Sequence, residues 1–226
     1  MTNLDIAAFA WFCVTLGLFE LSMRSKRFSA DSLTAAVQAQ RRRWVEAMLT
    51  RDQRQFDALL MSNLTQSHAF FASTSVLGIG GLAAIMGAGD AGREIIQKLP
   101  YVAPSTAMAW ELKLIFMMSI LVYAFFKFAW AFRLSHYTVM VFGALPAADA
   151  PDNEKRQLYA DTLSRLLGLV GEHANAGLRS FYLALAAIAW FFHPVLFMAA
   201  SAGVILVLLR REHFSRAAQL MRSIRT

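Results

Sequence analysis

Long apolar runs separated by short charged segments make up most of the chain. A helix needs roughly 20 mostly apolar residues to cross about 30 Å of hydrocarbon. Three of the four runs reach this length, and the first reaches it only with Leu4, Asp5 and Glu20 included. The pattern predicts an all-α fold, a polytopic helical membrane protein with one membrane domain over residues 1–226. Its predicted membrane segments lie at about residues 4–22, 68–89, 111–133 and 180–209.

Two polar segments also carry apolar residues at helical spacing. Residues 30–66 contain no Gly or Pro and repeat apolar side chains such as Val45, Leu49 and Phe56. Residues 154–171 follow the same pattern with Leu163 and Leu167. A polar segment with one apolar stripe is typical of an amphipathic helix. Both segments are therefore predicted to be amphipathic helices on the cytoplasmic side.

The basic residues set the predicted orientation. Apolar residues make up 57% of the chain and charged ones 16%, with a net charge of +7. Between Met23 and Gln66 we count eight basic residues: Arg24, Lys26, Arg27, Arg41, Arg42, Arg43, Arg51 and Arg54. Cytoplasmic loops are enriched in Lys and Arg, so the first loop is predicted to be cytoplasmic and the N-terminus outside. The acidic flank "MTNLD" before the first run indicates an anchor rather than a cleaved signal.

The cluster Arg41-Arg42-Arg43-Trp44 is a candidate for lipid contact. Arginines can hold anionic headgroups, and tryptophan favours the membrane interface. The alternative is a solvated basic face on a helix that packs its apolar stripe against its own bundle. No nucleic-acid motif accompanies the charge, so we expect membrane lipids as partners and no nucleic acid.

Small residues share one face of the second membrane segment. Ala72, Gly80, Ala84 and Ala88 recur at intervals of four or eight residues. Such spacing lets helices approach closely in lipid, and it predicts the closest helix contact and assembly of several copies. The adjacent Ser73, Thr74 and Ser75 line a polar path, or they bond back to carbonyls of their own helix.

The third segment carries Lys127, with Arg133 and His136 beyond it. A lysine at membrane depth is costly, which marks it as a functional candidate facing the bundle interior or water. The alternative is that Lys127 extends to the cytoplasmic interface, with Trp130 beside it. Lys113, four turns earlier, is expected to pair with Glu111 or to extend to the outer interface.

The last run contains His193-Pro194 near its middle. As one helix, its 29 residues would be about 43 Å long, more than the hydrocarbon thickness. The chain therefore crosses once with a proline kink, or it turns near His193 and re-enters the side it left. Five arginines follow the run and favour a cytoplasmic C-terminus, namely Arg210, Arg211, Arg216, Arg222 and Arg225.

No catalytic or metal-binding motif is visible. The sequence lacks a glycine-rich phosphate loop, a zinc-protease helix motif and a serine-hydrolase elbow. Its five histidines are scattered, and the single Cys13 is expected to be a buried packing residue. We therefore expect no metal, no cofactor and no enzymatic activity.

Two blocks carry a resemblance to a known family. They are "RRRWVEAMLTRDQRQFDALLMSNLTQSHAFFASTSVLGIGGL" and "GLRSFYLALAAIAWFFHPVLF", with the lysine-bearing segment between them. In this order they resemble the uncharacterised integral-membrane family called domain of unknown function 599. The resemblance implies an all-helical multi-pass protein of the bacterial inner (plasma) membrane. It implies no established activity.

Two functions are consistent with these residues. The leading hypothesis is a homo-oligomeric conduit for a small ion or solute, using Lys127, His193, the three hydroxyls, Arg133 and His136. A lysine in such a conduit would attract anions. The alternative is a non-transporting scaffold or regulatory protein that acts through its basic cytoplasmic helix.

Overall fold

The computed structural model describes residues 2–24, 32–98, 100, 102, 105–151 and 154–224, and all its regular elements are helices. In chain order they are α1 (Asn3–Arg24), α2 (Leu33–Leu49), α3 (Gln55–Gly87), α4 (Gly89–Gln97), α5 (Ala107–Gly143), α6 (Glu154–Phe192), α7 (Pro194–His213) and α8 (Arg216–Ser223). Five spans are long and apolar enough to cross a membrane: α1, α3, α5, α6, and α7 together with α8. The predicted all-α polytopic fold is confirmed, with five such spans where about four were expected.

The long helices α3, α5, α6 and α7 pack antiparallel in chain order, and α1 packs along α7. Phe71 of α3 stacks on Phe128 of α5 with ring centroids 5.2 Å apart. Nearer the start of α3, His68 Nδ1 lies 3.2 Å from the hydroxyl of Ser135 on α5. The main core at the other end of the bundle joins α1, α6 and α7 through Phe12, Trp190 and Phe197 among others. We call the end containing Asp5 and Trp190 the outer end and the end containing Glu20 and Arg179 the inner end.

The chain turns back at His193, so α6 and α7 form an antiparallel hairpin. His193 has an extended backbone and caps α7, its Nδ1 accepting a hydrogen bond from the Val195 N–H at 3.2 Å. Pro194 follows at the first helical position, where a missing N–H costs nothing. Trp190 stacks on Phe197 across the turn. The alternative of one kinked crossing therefore does not hold in this structure.

Helix α6 is one uninterrupted helix of 39 residues, about 58 Å long. The predicted helix at 154–171 and the first part of the segment at 180–209 both belong to it. Conversely, the predicted helix at 30–66 is divided: α2 ends at Leu49 and α3 begins at Gln55. Of the predicted basic residues, Lys26, Arg27 and Arg225 lie outside the described residues.

Two arginines close the loops at the inner end. Helix ends leave carbonyl oxygens without partners inside the helix. The Arg54 guanidinium donates to the oxygens of Met48, Leu145 and Pro146 at 3.0, 3.2 and 2.6 Å. Arg156 likewise donates to the oxygens of Leu49, Ala148 and Ala150, at 2.7, 3.2 and 2.6 Å. These contacts explain why a segment without Gly or Pro still breaks between α2 and α3.

The tightest glycine contacts lie mainly on α6 rather than on the predicted small-residue face of α3. A Cβ at Gly177 would lie 2.7 Å from the ring of Phe128, and one at Gly168 would lie 2.8 Å from the Gln38 amide. A Cβ at Gly80 would meet nothing within 4 Å. Ala84 and Ala88 are exposed, and Ala72 is half-buried. Within the described residues, the predicted small-residue face of α3 therefore does not form the closest helix contact. Most of this face is exposed and free to contact another molecule.

Candidate functional site

A cavity of about 390 Å³ lies between α1, α5, α6 and α7, and we call it the α1 cleft. Its volume lies within the range of small-molecule sites, about 300–1,000 Å³. The lining is mostly apolar: Phe12, Leu16, Phe19, Glu20, Phe116, Ser119, Ile120, Tyr123, Ala176, Arg179, Ser180, Leu183, Ile205 and Leu208.

A buried ion pair lies beyond the outer end of the α1 cleft. Lys113 Nζ of α5 lies 3.1 Å from Asp5 Oδ1 of α1, and both side chains are under 10% exposed. Trp190 Nε1 donates to the same carboxylate oxygen at 2.9 Å. Lys113 Nζ also donates to the Trp190 backbone oxygen at 3.1 Å. Buried charges persist when they are paired and hydrogen-bonded, and this cluster meets both conditions.

The second oxygen of Asp5 is satisfied within α1. Asp5 Oδ2 accepts hydrogen bonds at 2.9 Å from the backbone N–H and from the hydroxyl of Thr2. The Asp5 N–H returns a bond to the Thr2 hydroxyl at 3.2 Å. A carboxylate in the first helical turn also interacts favourably with the helix dipole. The start of α1 is therefore fixed to α5 and α6 through one carboxylate.

Aromatic rings form the floor beneath the ion pair. Phe116 meets Phe12, Trp190 and Phe197 at ring-centroid distances of 5.2, 5.5 and 6.1 Å. Edge-to-face and offset ring pairs of this kind add stability beyond the area they bury. The floor separates the charges above it from the apolar cavity below.

The α1 cleft is open on the side between α1 and α5. Helix α1 packs mainly along α7 and reaches α5 near its start, through Asp5 on Lys113 and through Phe9 and Phe12 on Phe116. Farther along α5, Ser119 and Tyr123 line the cavity and are exposed. Both lie on a helix that is apolar enough to cross a membrane. The opening of the cavity therefore lies between two helices that are long and apolar enough to cross a membrane.

The inner end of the α1 cleft becomes basic. Arg179 lies with its guanidinium carbon 5.6 Å from the ring centre of Phe19, and its Nη2 is 3.7 Å from Glu20 Oε1. Below it lies a second cavity of about 180 Å³, which we call the arginine pocket. It shares Phe19, Arg179 and Leu208 with the α1 cleft and adds Met23, Leu33, Thr34, Val37, Arg41, Asn175, Arg211 and Glu212.

Arg41 is positioned in the arginine pocket by the close approach of α2 and α6. Its Nη1 donates to Gln38 Oε1 at 3.3 Å, and a Cβ at Gly171 would collide with its guanidinium. Burial lowers the pKa of Arg41, and the carboxylate of Glu172 partly opposes this shift. Arginine keeps its charge in proteins, so the pocket holds a permanent, partly desolvated cation.

The residues of the predicted lipid-contact cluster point in different directions. Arg42 is exposed and pairs with Glu46 at 3.2 Å and Asp161 at 3.5 Å. Arg43 donates to the Ile224 backbone oxygen. Trp44 Nε1 donates to the buried Asp57 at 2.8 Å. Of the four predicted residues, Arg41 alone lines the arginine pocket.

The predicted conduit residues are not brought together in one protomer. Lys127 is half-buried and lies 5.1 Å from the ring centre of Tyr123. It lines a groove on the surface of the bundle with Trp130 and His173. This position resembles the interfacial alternative for Lys127. Arg133 and His136 are exposed and bond within α5, to Tyr137 and to the Phe132 oxygen.

The three predicted hydroxyls of α3 also separate. Ser73 is exposed, while the hydroxyls of Thr74 and Ser75 donate back to Phe70 O and Phe71 O at 2.9 Å. His193 caps α7 at the tip of the hairpin. Cys13 is exposed, so its expected burial was wrong.

Four residues of the site were not singled out together by the sequence: Asp5, Lys113, Arg179 and Arg211. Lys113 was expected to pair with Glu111 or to extend to the outer interface, and it is instead buried against Asp5. Asp5 and Lys113 were each visible as charges inside membrane segments. Two opposite charges at the outer ends of the first and third predicted membrane segments could have indicated the pair.

The comparisons with known proteins identify a family but give no activity. A family model described as "Protein of unknown function, DUF599" matches residues 7–217. No curated protein and no solved structure matched the chain. Within the described residues, no group of three potential ligands is placed to hold a metal ion.

Proposed function

We propose that this chain, which belongs to the DUF599 family, is a membrane protein that takes up a small amphipathic molecule from the bilayer into the α1 cleft. One observation carries this proposal: an apolar cavity opens sideways between α1 and α5 and lies directly beside a polar pocket, with Phe19, Arg179 and Leu208 lining both. Sites for small molecules usually combine an apolar wall with a few placed polar groups.

The proposed orientation follows the charges. The inner end carries Arg179 and Arg211, and α2 with its arginines packs against the same part of α6. The positive-inside rule places such an end in the cytoplasm. In this orientation the ion pair of Asp5 and Lys113 lies near the opposite face. The molecule would enter from the lipid and meet the polar pocket near the cytoplasmic surface.

Filling the α1 cleft tests the proposal. Ile120 is half-buried and lines the cleft, whereas Ile115 is exposed on the same helix and does not line it. Purified full-length protein would be mixed with phosphatidylcholine, phosphatidylglycerol or diacylglycerol and the bound molecules counted by native mass spectrometry. Ile120→Trp should remove one tightly bound molecule, because the indole occupies the cavity, and Ile115→Trp should retain it.

Equal retention by both variants would overturn the proposal. Because a tryptophan in the cleft can also disturb packing, Ser180→Leu provides a second filling variant from the opposite wall. Each variant should keep the thermal unfolding temperature of the unsubstituted protein within a few degrees. Loss of the molecule in two stable filling variants, but not in Ile115→Trp, supports the proposal.

A conduit between copies is the second candidate, and the exposed face of α3 favours it. Ser73, Gly80 and Ala84 lie on this face, and it makes few contacts within the protomer. Copies meeting there would place the Ser73 hydroxyl at their interface. Ion flux in proteoliposomes that is lost in Gly80→Leu, together with a smaller oligomer, supports this candidate. No flux for any ion tried, or flux insensitive to both Gly80→Leu and Lys127→Met, would count against it. The scaffold hypothesis stays a prediction.

A further inference from the structure

We infer that the molecule bound in the α1 cleft is an anionic lipid whose headgroup lies in the arginine pocket. This inference rests on the proposed function, since it assumes that the cleft takes up an amphipathic molecule. It adds the charge of the ligand, the position of its headgroup and the three residues that select it: Arg41, Arg179 and Arg211.

The arginine pocket carries more positive than negative groups. Its wall contains the three arginines and one carboxylate, that of Glu212, and the exposed Glu172 acts on Arg41 from outside this wall. Glu212 already accepts a hydrogen bond from the Thr34 N–H at 2.9 Å, at the start of α2. Glu20 approaches Arg179 from the α1 cleft at 3.7 Å, which is beyond a normal hydrogen bond. The pocket therefore favours an anion over a neutral or cationic headgroup.

The arginines also have donors to offer. A guanidinium carries five N–H groups. Among the described contacts, Arg41 uses one on Gln38, and Arg211 makes one long contact of 3.5 Å with the Tyr182 hydroxyl. Arginine binds the oxygens of a phosphate through paired N–H donors. A phosphate group in the pocket would satisfy donors that come from α2, α6 and α7 at once.

The adjacent α1 cleft distinguishes a lipid from a free phosphate ester. Phe19, Arg179 and Leu208 line both cavities, so a headgroup at Arg179 places the attached chain directly beside apolar walls. A chain that comes from the bilayer is already out of water, so its gain in the cleft is close packing against these walls. A free phosphate ester would make the charge contacts and leave the apolar cleft unfilled. The structure therefore favours the lipid.

The chain provides a matched control for the charge. Arg42 follows Arg41 directly but is exposed and pairs with Glu46 and Asp161 on the other side of α2. Arg41→Gln and Arg42→Gln remove the same charge from the same helix turn. Only Arg41→Gln removes a guanidinium from the pocket. A difference between the two variants therefore reports the pocket rather than general attraction to a negative surface.

The test compares two lipids with identical acyl chains, phosphatidylglycerol and phosphatidylcholine, bound to purified full-length protein. Native mass spectrometry should show a preference for phosphatidylglycerol of about tenfold, the effect of roughly one charge-assisted hydrogen bond. Arg41→Gln and Arg179→Gln should reduce the preference to about one, and Arg42→Gln should leave it unchanged. Arg211 is exposed, so Arg211→Gln tests the same prediction if Arg41→Gln or Arg179→Gln unfolds the protein, and it should also reduce the preference.

Each other outcome overturns a defined part of the inference. Equal binding of both lipids, with both lost in Ile120→Trp, overturns the anionic headgroup and leaves the proposed function standing. An equal loss of preference in Arg41→Gln and Arg42→Gln overturns the pocket as its cause. Binding of glycerol phosphate that competes with the lipid and is unaffected by Ile120→Trp overturns the lipid and indicates a free phosphate ester. A phosphatidylglycerol preference that survives in both Arg41→Gln and Arg179→Gln also contradicts the inference.

Discussion

The ammonium group of Lys113 donates a hydrogen bond to the backbone oxygen of Trp190 across 3.1 Å. In an α-helix that oxygen would accept from the N–H four residues later, and here the residue is Pro194, which has no N–H. Lys113 therefore occupies the carbonyl that the proline leaves free, and Asp5 balances its charge. A helix end, a lysine and a carboxylate from three helices thus depend on one another.

Removing only one of the two charges, that of Asp5 or that of Lys113, should destabilise the protein more than expected from the cost of removing both. Asp5→Leu or Lys113→Met alone leaves one buried charge without its partner, a change that typically costs about 3–5 kcal/mol. The double variant Asp5→Leu with Lys113→Met should cost clearly less than the sum of the two. Thermal unfolding in detergent measures the difference as a double-mutant cycle. Glu111→Gln, at the exposed carboxylate nearby, is the control, and additive single effects would show that the pair is not coupled.

Gly177 should be intolerant of a larger residue. A Cβ there lies 2.7 Å from the ring of Phe128, which is 1% exposed and held by Phe71 and Phe181. Overpacking of this kind costs about 1–3 kcal/mol. Gly80→Ala is the matched control, because alanine there meets nothing and gains up to about 1 kcal/mol of helix propensity. Equal unfolding temperatures for the two variants would contradict this close contact.

Gly171→Ala should act on Arg41 rather than on stability. The methyl group collides with the end of a flexible side chain, so the guanidinium moves and the helices need not separate. The unfolding temperature should change little, while the preference for phosphatidylglycerol should fall as it does in Arg41→Gln. Lipid mass spectrometry and thermal unfolding on the same sample separate the two effects. A large drop in unfolding temperature with an intact preference would show the reverse.

The hairpin predicts that the C-terminal region lies on the cytoplasmic side. Ser223→Cys in a Cys13→Ala background should resist a membrane-impermeant thiol reagent in spheroplasts and react after lysis. Asn3→Cys in the same background should react in both, because α1 begins at the outer end. Labelling of Ser223→Cys in intact spheroplasts would place α7 and α8 on the other side and contradict this orientation.

The apolar pattern was sufficient for the all-α membrane fold, and it marked His193-Pro194 as either a kink or a turn. The length of an apolar run is matched to the thickness of the hydrocarbon layer, so such runs can be recognised in the sequence. The His-Pro pair follows the end of α6 and caps α7. The pattern was not sufficient for the division between α2 and α3. That break depends on Arg54 binding carbonyls about ninety residues away, at Leu145 and Pro146. No local residue preference encodes such a contact.

The site was harder to predict than the fold. Lys127 was predicted to be functional because it lies at membrane depth among aromatic residues, yet it lines a groove on the surface of the bundle. Lys113 was interpreted through its neighbour Glu111, while its partner Asp5 is more than one hundred residues away. Three glycines within Gly168–Gly177 did carry a signal. Each costs helix stability of about 1 kcal/mol, which indicates a packing reason for its presence.

The length of α6 gives the protein a mechanical property. One unbroken helix joins the loops held by Arg156 to the hairpin tip beside Asp5 and Lys113. A tilt of about 5° about its inner end would move the tip by roughly 5 Å over its length of about 58 Å. Helix α1 contacts that tip through Asp5 and through Phe9 and Phe12, so such a tilt would move the α1 wall of the α1 cleft. A partner protein bound at the inner end of α6 could therefore widen or narrow the opening of the α1 cleft between α1 and α5.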